Sequence, residues 1–145
     1  MQIVDCELRI DSENQFHEPG RTEIEDQGVC GRIIRLADKL PDSRAANAIA
    51  RQMVRSGMSV GANYRAACRA KSRANFISKL GIVEEECDET LYWMELLIES
   101  DKMKIEAVND LMDEAAQILA IVVASINTAR AKSNPQSAIR NPQSR

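Results

Sequence analysis

Aromatic residues are nearly absent from this chain. Phe, Tyr and Trp make up 3% of its 145 residues, although 44% are apolar. A core of that composition must come from Leu, Ile, Val, Met and Ala, which suits close-packed helices better than pleated strands. Glycine and proline are scarce too, with six and four copies, and most lie outside residues 44–131.

Reactive groups are equally sparse. The one histidine, His17, lies in a polar N-terminal stretch, so the paired Glu-x-x-His elements of a di-iron bundle cannot be assembled. Glu86 and Glu89 stand three apart without histidine support and read as solvent-facing. Cys6, Cys30, Cys68 and Cys87 have neither zinc-ligand nor disulfide-framework spacing. They read as free thiols of a reducing cytosol, acting as small buried hydrophobes. Ser56, Ser59 and Ser72 have no base and acid beside them in sequence, and no Gly-Lys-Ser/Thr follows Gly57 or Gly61. The apolar run 118–124 is bracketed by Gln117 and Asn127, well short of a membrane span, and the acidic N-terminus does not read as a signal peptide. The expectation is a cytoplasmic, non-enzymatic domain with no metal, no cofactor and no membrane partner. An enzyme using scattered cysteines or carboxylates is the weakest alternative.

Charge is present but segregated. The formal net charge is only -3, yet residues 44–79 carry eight bases and no acid, and residues 84–101 carry eight acids and no base. Such blocks mark contact faces more than they mark a fold.

Apolar spacing predicts four helices. Val29, Ile33, Leu36 and Leu40 share a face in a first helix over 25–40, with Gly28 and Gly31 weakening its start and Pro41 forcing its end. The start falls either at 25 or nearer 32. A second helix over 44–70, capped by Ser43, carries Ile49, Met53, Val60, Tyr64 and Ala67. Gly57 and Gly61 inside it predict close helix packing or a bend. The third, over 72–100, has the best period: Phe76, Leu80, Val83, Cys87, Leu91, Met94 and Ile98. The fourth follows a turn at 101–104 and carries Ile105, Val108, Leu111, Ala115, Ile118, Val122 and Ile126. Its central turns are apolar nearly all round, which predicts self-association. Residues 1–24 read as a flexible arm, 25–131 as an antiparallel up-down-up-down four-helix bundle, and 132–145, with Asn-Pro-Gln-Ser twice, as a disordered low-complexity tail.

One row singles itself out. Arg44, Arg51, Arg55, Arg65 and Arg69 fall within about 80° of arc at 100° per residue, opposite the apolar stripe, and Arg73 extends the row if the helix runs on. Lys71 points elsewhere. Arginine's planar fork suits phosphates and carboxylates alike. Three readings stay open. The row can pair inside the bundle, with Glu84 as the partner of Arg51 or Arg55. It can contact the backbone of RNA or DNA. It can dock an acidic protein.

The stretch Arg51-Gln52-Met53-Val54-Arg55-Ser56-Gly57-Met58-Ser59-Val60-Gly61-Ala62-Asn63-Tyr64-Arg65 resembles the four-helix-bundle protein family of bacterial 23S ribosomal RNA intervening sequences. The resemblance continues through Ala67, Arg69-Ala70, Ser72-Arg73-Ala74, Phe76-Ile77-Ser78-Lys79-Leu80, Glu86 and Glu89-Thr90-Leu91-Tyr92-Trp93, and covers about residues 33–126. Ala66, Asn75 and Glu85 depart from it: the first two replace acids and the third replaces a lysine. The likeness implies a four-helix fold assembling into a homo-oligomeric ring, expected to be a pentamer. It extends to the accessory proteins of diversity-generating retroelements, which implies nucleic acid or a reverse-transcriptase-like protein as partner.

Overall fold

The structure, a computed structural model, describes residues 28–132. The expected arm at 1–24 and all but the first residue of the expected tail lie outside the described residues.

Four α-helices follow one another: α1 (Val29–Asp38), α2 (Arg44–Cys68), α3 (Arg73–Glu99) and α4 (Asn109–Ala131), with no strand among the described residues. Local chemistry sets the boundaries. The hydroxyls of Ser43 and Ser72 accept hydrogen bonds from the Ala46 and Asn75 amides, at 3.2 and 3.1 Å, and so cap α2 and α3. Pro41 stops any continuation of α1. At the end of α3, Asp101 takes the left-handed conformation (φ 54°). The Lys102 amide then donates to Leu97 O at 2.9 Å and the Asp101 amide to Ile98 O at 3.0 Å. This paired closure satisfies carbonyls that a helix end leaves open.

α2 packs against α3, α3 against α4, and α1 against both α2 and α4, so one apolar core is shared by all four. The buried positions recur every seven residues. One such set in α2 is Ala46, Met53, Val60 and Ala67; in α3, Phe76, Val83, Thr90 and Leu97, interleaved with Leu80, Cys87 and Met94; and Val108, just ahead of α4, leads into Ala115, Val122 and Ala129 within it. A straight helix drifts about 20° per heptad against such a repeat, so a seven-residue seam belongs to helices that wrap gently round one another.

That period explains where the sequence reading needs correcting. Leu91 and Ile98 are only half-buried, while Thr90 and Leu97 hold the seam at 1% and 0% exposure. Tyr64 and Leu40 are half-buried flanks. Ile105 is 50% exposed, because residues Ile105–Ala107 form a separate 3-10 turn ahead of α4. α1 begins at Val29 after Gly28, between the two starts considered.

The two glycines of α2 sit under α1. A Cβ on Gly57 would lie 2.6 Å from Ile33 Cδ1, and one on Gly61 would lie 2.9 Å from Cys30 Sγ. The missing side chains let α1 approach α2 at this point, and the Cys30 thiol donates to Gly57 O across the contact at 3.1 Å. Gly81 in α3 faces open space.

Candidate nucleic-acid interface on α2

The arginine row runs along the outward side of α2. Arg44, Arg51, Arg55, Arg65 and Arg69 are exposed, and Arg73, at the start of α3, is half-buried. Exposed Met58 and Ala62 occupy the middle of the same row, so the cations fall into an upper and a lower group.

Arg55 differs from the other arginines of the row. That guanidinium pairs with Glu89 and lies 3.5 Å from both oxygens of Glu86, while its Nε donates to Gln52 Oε1 at 3.2 Å. Glu89 also accepts from Trp93 Nε1 at 3.0 Å. The Arg55 bond, then the Trp93 bond, holds the Glu89 carboxyl below its ordinary range, and the Glu89 bond raises Arg55 in turn. Arg55 is thus a neutralised bridge between α2 and α3.

Its partners are not the one expected. Glu84 makes no ion pair among the described residues. Glu86 and Glu89 lie on the flank of α3 that faces α2, and Glu84 lies roughly 150° round the helix from them at 100° per residue. Nearness to the buried stripe does not bring Glu84 to α2, because the side of that stripe decides which helix a residue meets. Arg51, the other expected partner of Glu84, has no ion pair among the described residues either.

Arg73 is also engaged, its Nη1 donating to the carbonyl of Lys132 at 2.9 Å. That bond fixes the start of α3 beside the end of α4. A further ion pair, Arg32 with Glu114, ties α1 to α4. The two residues stand 82 apart, and no local pattern marks either of them. Four arginines remain, Arg44, Arg51, Arg65 and Arg69, whose side chains make no hydrogen bond or ion pair among the described residues. Their planar heads project into water, and each offers a two-pronged donor set suited to phosphate or carboxylate oxygens.

The interior offers little for chemistry. Cys87 is buried and its thiol donates to Ala115 O at 3.2 Å. Burial, then the charge of Asp88, pushes its pKa up to about 11, and burial also raises Cys30. Both therefore stay protonated and unreactive near neutral pH. No group of three or more His, Cys, Asp or Glu among the described residues is placed to hold a metal ion. One described helix, α4, is long and apolar enough to cross a membrane by length and composition. It nevertheless buries Leu111, Ala115, Ile118, Val122 and Ile126 in the shared core.

Comparison with known proteins gives this arrangement a family. A crystal structure of a protein of unknown function from the S23 ribosomal protein family of Bacteroides thetaiotaomicron VPI-5482 superposes with a TM-score of 0.63 and 36% identity. The match covers 68% of this chain and 91% of that one. No curated protein matches the chain. The model of the 23S rRNA-intervening sequence protein family matches residues 27–124, which span α1, α2, α3 and most of α4. The chain belongs to the 23S rRNA-intervening sequence protein family.

Proposed function

We propose that this chain is a non-enzymatic, cytoplasmic, self-associating helical bundle that holds the phosphate backbone of RNA or DNA on the outward face of α2. The observation that carries the reading is the set of four exposed, unpaired arginines on one row, Arg44, Arg51, Arg65 and Arg69. Phosphates are the oxygen-rich, repeating anions that such a row fits without reading bases.

The reading includes an up-down-up-down antiparallel bundle. Ile33 meets Gly57 while Cys30 meets Gly61, so the two sequences run in opposite senses along α1 and α2. Arg73 at the start of α3 meets Lys132 just past the end of α4, which supports the same sense for that pair. It also includes assembly into a ring, with a pentamer as the size the family resemblance implies. Between Glu114 and Arg130 the α4 sequence has no charged residue, and Ala116, Ala120, Ile121 and Ala124 are exposed there. A helix face this free of charge is suited to a second copy of the chain.

Binding to structured RNA and to double-stranded DNA across a salt series tests the function. Affinity should fall steeply with salt, and Arg65→Ala with Arg69→Ala should weaken it while the oligomer mass stays the same. Unchanged affinity in both variants would remove these residues from the contact.

A second reading draws on Met58, which is 53% exposed in the middle of the row. Methionine between arginines suits a protein partner with an acidic surface, such as a reverse-transcriptase-like protein. Met58→Ala should weaken that partnership and leave nucleic-acid binding intact.

A further inference from the structure

Resting on the self-association in the reading above, we infer that one copy of the chain docks the upper part of its α2 row, Arg51 with Met58, on the outward face of α3 of a second copy, at Tyr92 and Glu95. That face of α3 matches the α2 row in form and opposes it in sign. Glu85, Asp88, Tyr92, Glu95 and Glu99 are all exposed and fall within about 80° of arc at 100° per residue. None of the four carboxylates makes an ion pair among the described residues. Each row holds one large exposed apolar side chain, Met58 on α2 and Tyr92 on α3, both 53% exposed. In each, charges stand seven residues to either side: Arg51 and Arg65 about Met58, Glu85 and Glu99 about Tyr92.

The packing inside one copy says which charges stand level in such a contact. Ser56 Oγ lies 2.8 Å from Thr90 Oγ1, and Arg55 pairs with Glu86 and Glu89. In the proposed up-down arrangement α2 and α3 run in opposite senses from that point, so Arg51 stands level with Glu95, and Arg65 with Gly81. A neighbour related by rotation about an axis along the bundle keeps these levels. Arg51 of one copy then faces Glu95 of the next. Met58 and Tyr92 differ in level by four residues, roughly 6 Å. Long helical side chains lean toward the N-terminus of their own helix, which in antiparallel neighbours tips these two toward each other. A thioether against an aromatic ring is a favourable contact.

The same register spares the lower arginines. Arg65 and Arg69 stand level with residues 77–81 of α3, and no acid occurs between Arg73 and Glu84. They stay open to phosphate while Arg51 is covered, so the two groups of the row serve different contacts. The two docking patches are different surfaces of one chain and therefore make a head-to-tail contact, the kind that closes into a ring. Opposite charges around an apolar centre also set the register and oppose a copy placed the wrong way round.

Sedimentation of the full chain over a concentration series tests the contact, with circular dichroism to follow helix content. Arg51→Glu and Glu95→Arg each set like charges face to face. Each should raise the dissociation constant of the assembly about tenfold or more, shifting the mass toward the 16.2 kDa of one chain. Both side chains are exposed, so helix content should hold. The two changes together in one chain put opposite charges back across the contact and should restore the assembly. Tyr92→Ala should weaken it as the single reversals do. An assembly that both single reversals leave intact would overturn this contact and leave self-association to the α4 face. Single reversals that the combination fails to rescue would overturn the pairing of Arg51 with Glu95. A wild-type chain of 16.2 kDa at every concentration would overturn self-association itself.

Discussion

Thr90 Oγ1 lies 2.8 Å from Ser56 Oγ in the fully buried seam between α3 and α2. Ser56 also reaches Met53 O at 3.2 Å, and Thr90 reaches Glu86 O at 2.7 Å. Two hydroxyl protons therefore serve three contacts, so the pair shares its protons between the two helices and their own backbones. This is the one buried polar pair in an otherwise apolar seam among the described residues. Thr90→Val keeps the volume and loses the hydroxyl, and should cost about 1 kcal/mol in denaturant unfolding. Ser56→Ala should cost a similar amount. The double variant should cost less than the sum, with a coupling of about 0.5–1 kcal/mol. Strict additivity would mean that the two hydroxyls act independently.

The glycines of α2 and α3 should respond in opposite directions. Gly81→Ala meets open space and should stabilise by about 0.5–1 kcal/mol through helix propensity and a less free unfolded chain. Gly57→Ala gains the same propensity but drives a methyl into Ile33, which is 1% exposed and closely packed. It should destabilise by about 1–3 kcal/mol, as overpacking does. Thermal unfolding of the two variants checks the contrast, and a stabilised Gly57→Ala would show that α1 yields freely.

The Arg55–Glu89 bridge makes a statement about pH. The folded carboxyl of Glu89 titrates below its unfolded value, chiefly because of Arg55 and then Trp93. The unfolded chain then binds the proton more readily. The bridge's contribution is present above the ordinary glutamate pKa of about 4.3 and is lost as pH falls through the lowered folded value. Titration of the Glu89 side chain by NMR should show its midpoint rising in Arg55→Ala. A midpoint that stays put would assign the depression to Trp93 alone.

Thiol reactivity should separate the folded from the opened chain. With Cys87 held near a pKa of about 11 and 2% exposed, alkylation at neutral pH should proceed only through unfolding of the bundle. Mass-mapped labelling should therefore speed up at Cys87 with denaturant. Rapid native labelling there would contradict the packing of α3 against α4.

Much of this fold is legible in the sequence. Ser43, Ser72 and Pro41 mark ends that the structure keeps within a residue or two, and the long apolar periods of α2 and α3 locate both helices. Thr90 escapes a hydrophobicity pattern because it is polar, although it falls in register with Phe76, Val83 and Leu97 at seven-residue steps. A hydrophobicity pattern follows Leu91 instead, and so drifts off the seam. The candidate site is less legible. The exposed row on α2 can be seen from spacing alone. Which of its members is neutralised depends on the flank of α3 that carries Glu86 and Glu89, and the meeting of Lys132 with Arg73 depends on tertiary packing.

Sedimentation of the full chain with a labelled RNA duplex, repeated across a salt series, tests the central claim most directly. The account predicts that protein and duplex move together at a protein mass several times the 16.2 kDa of one chain, and that they separate as salt rises. A 16.2 kDa species that leaves the duplex behind even at low salt would contradict it.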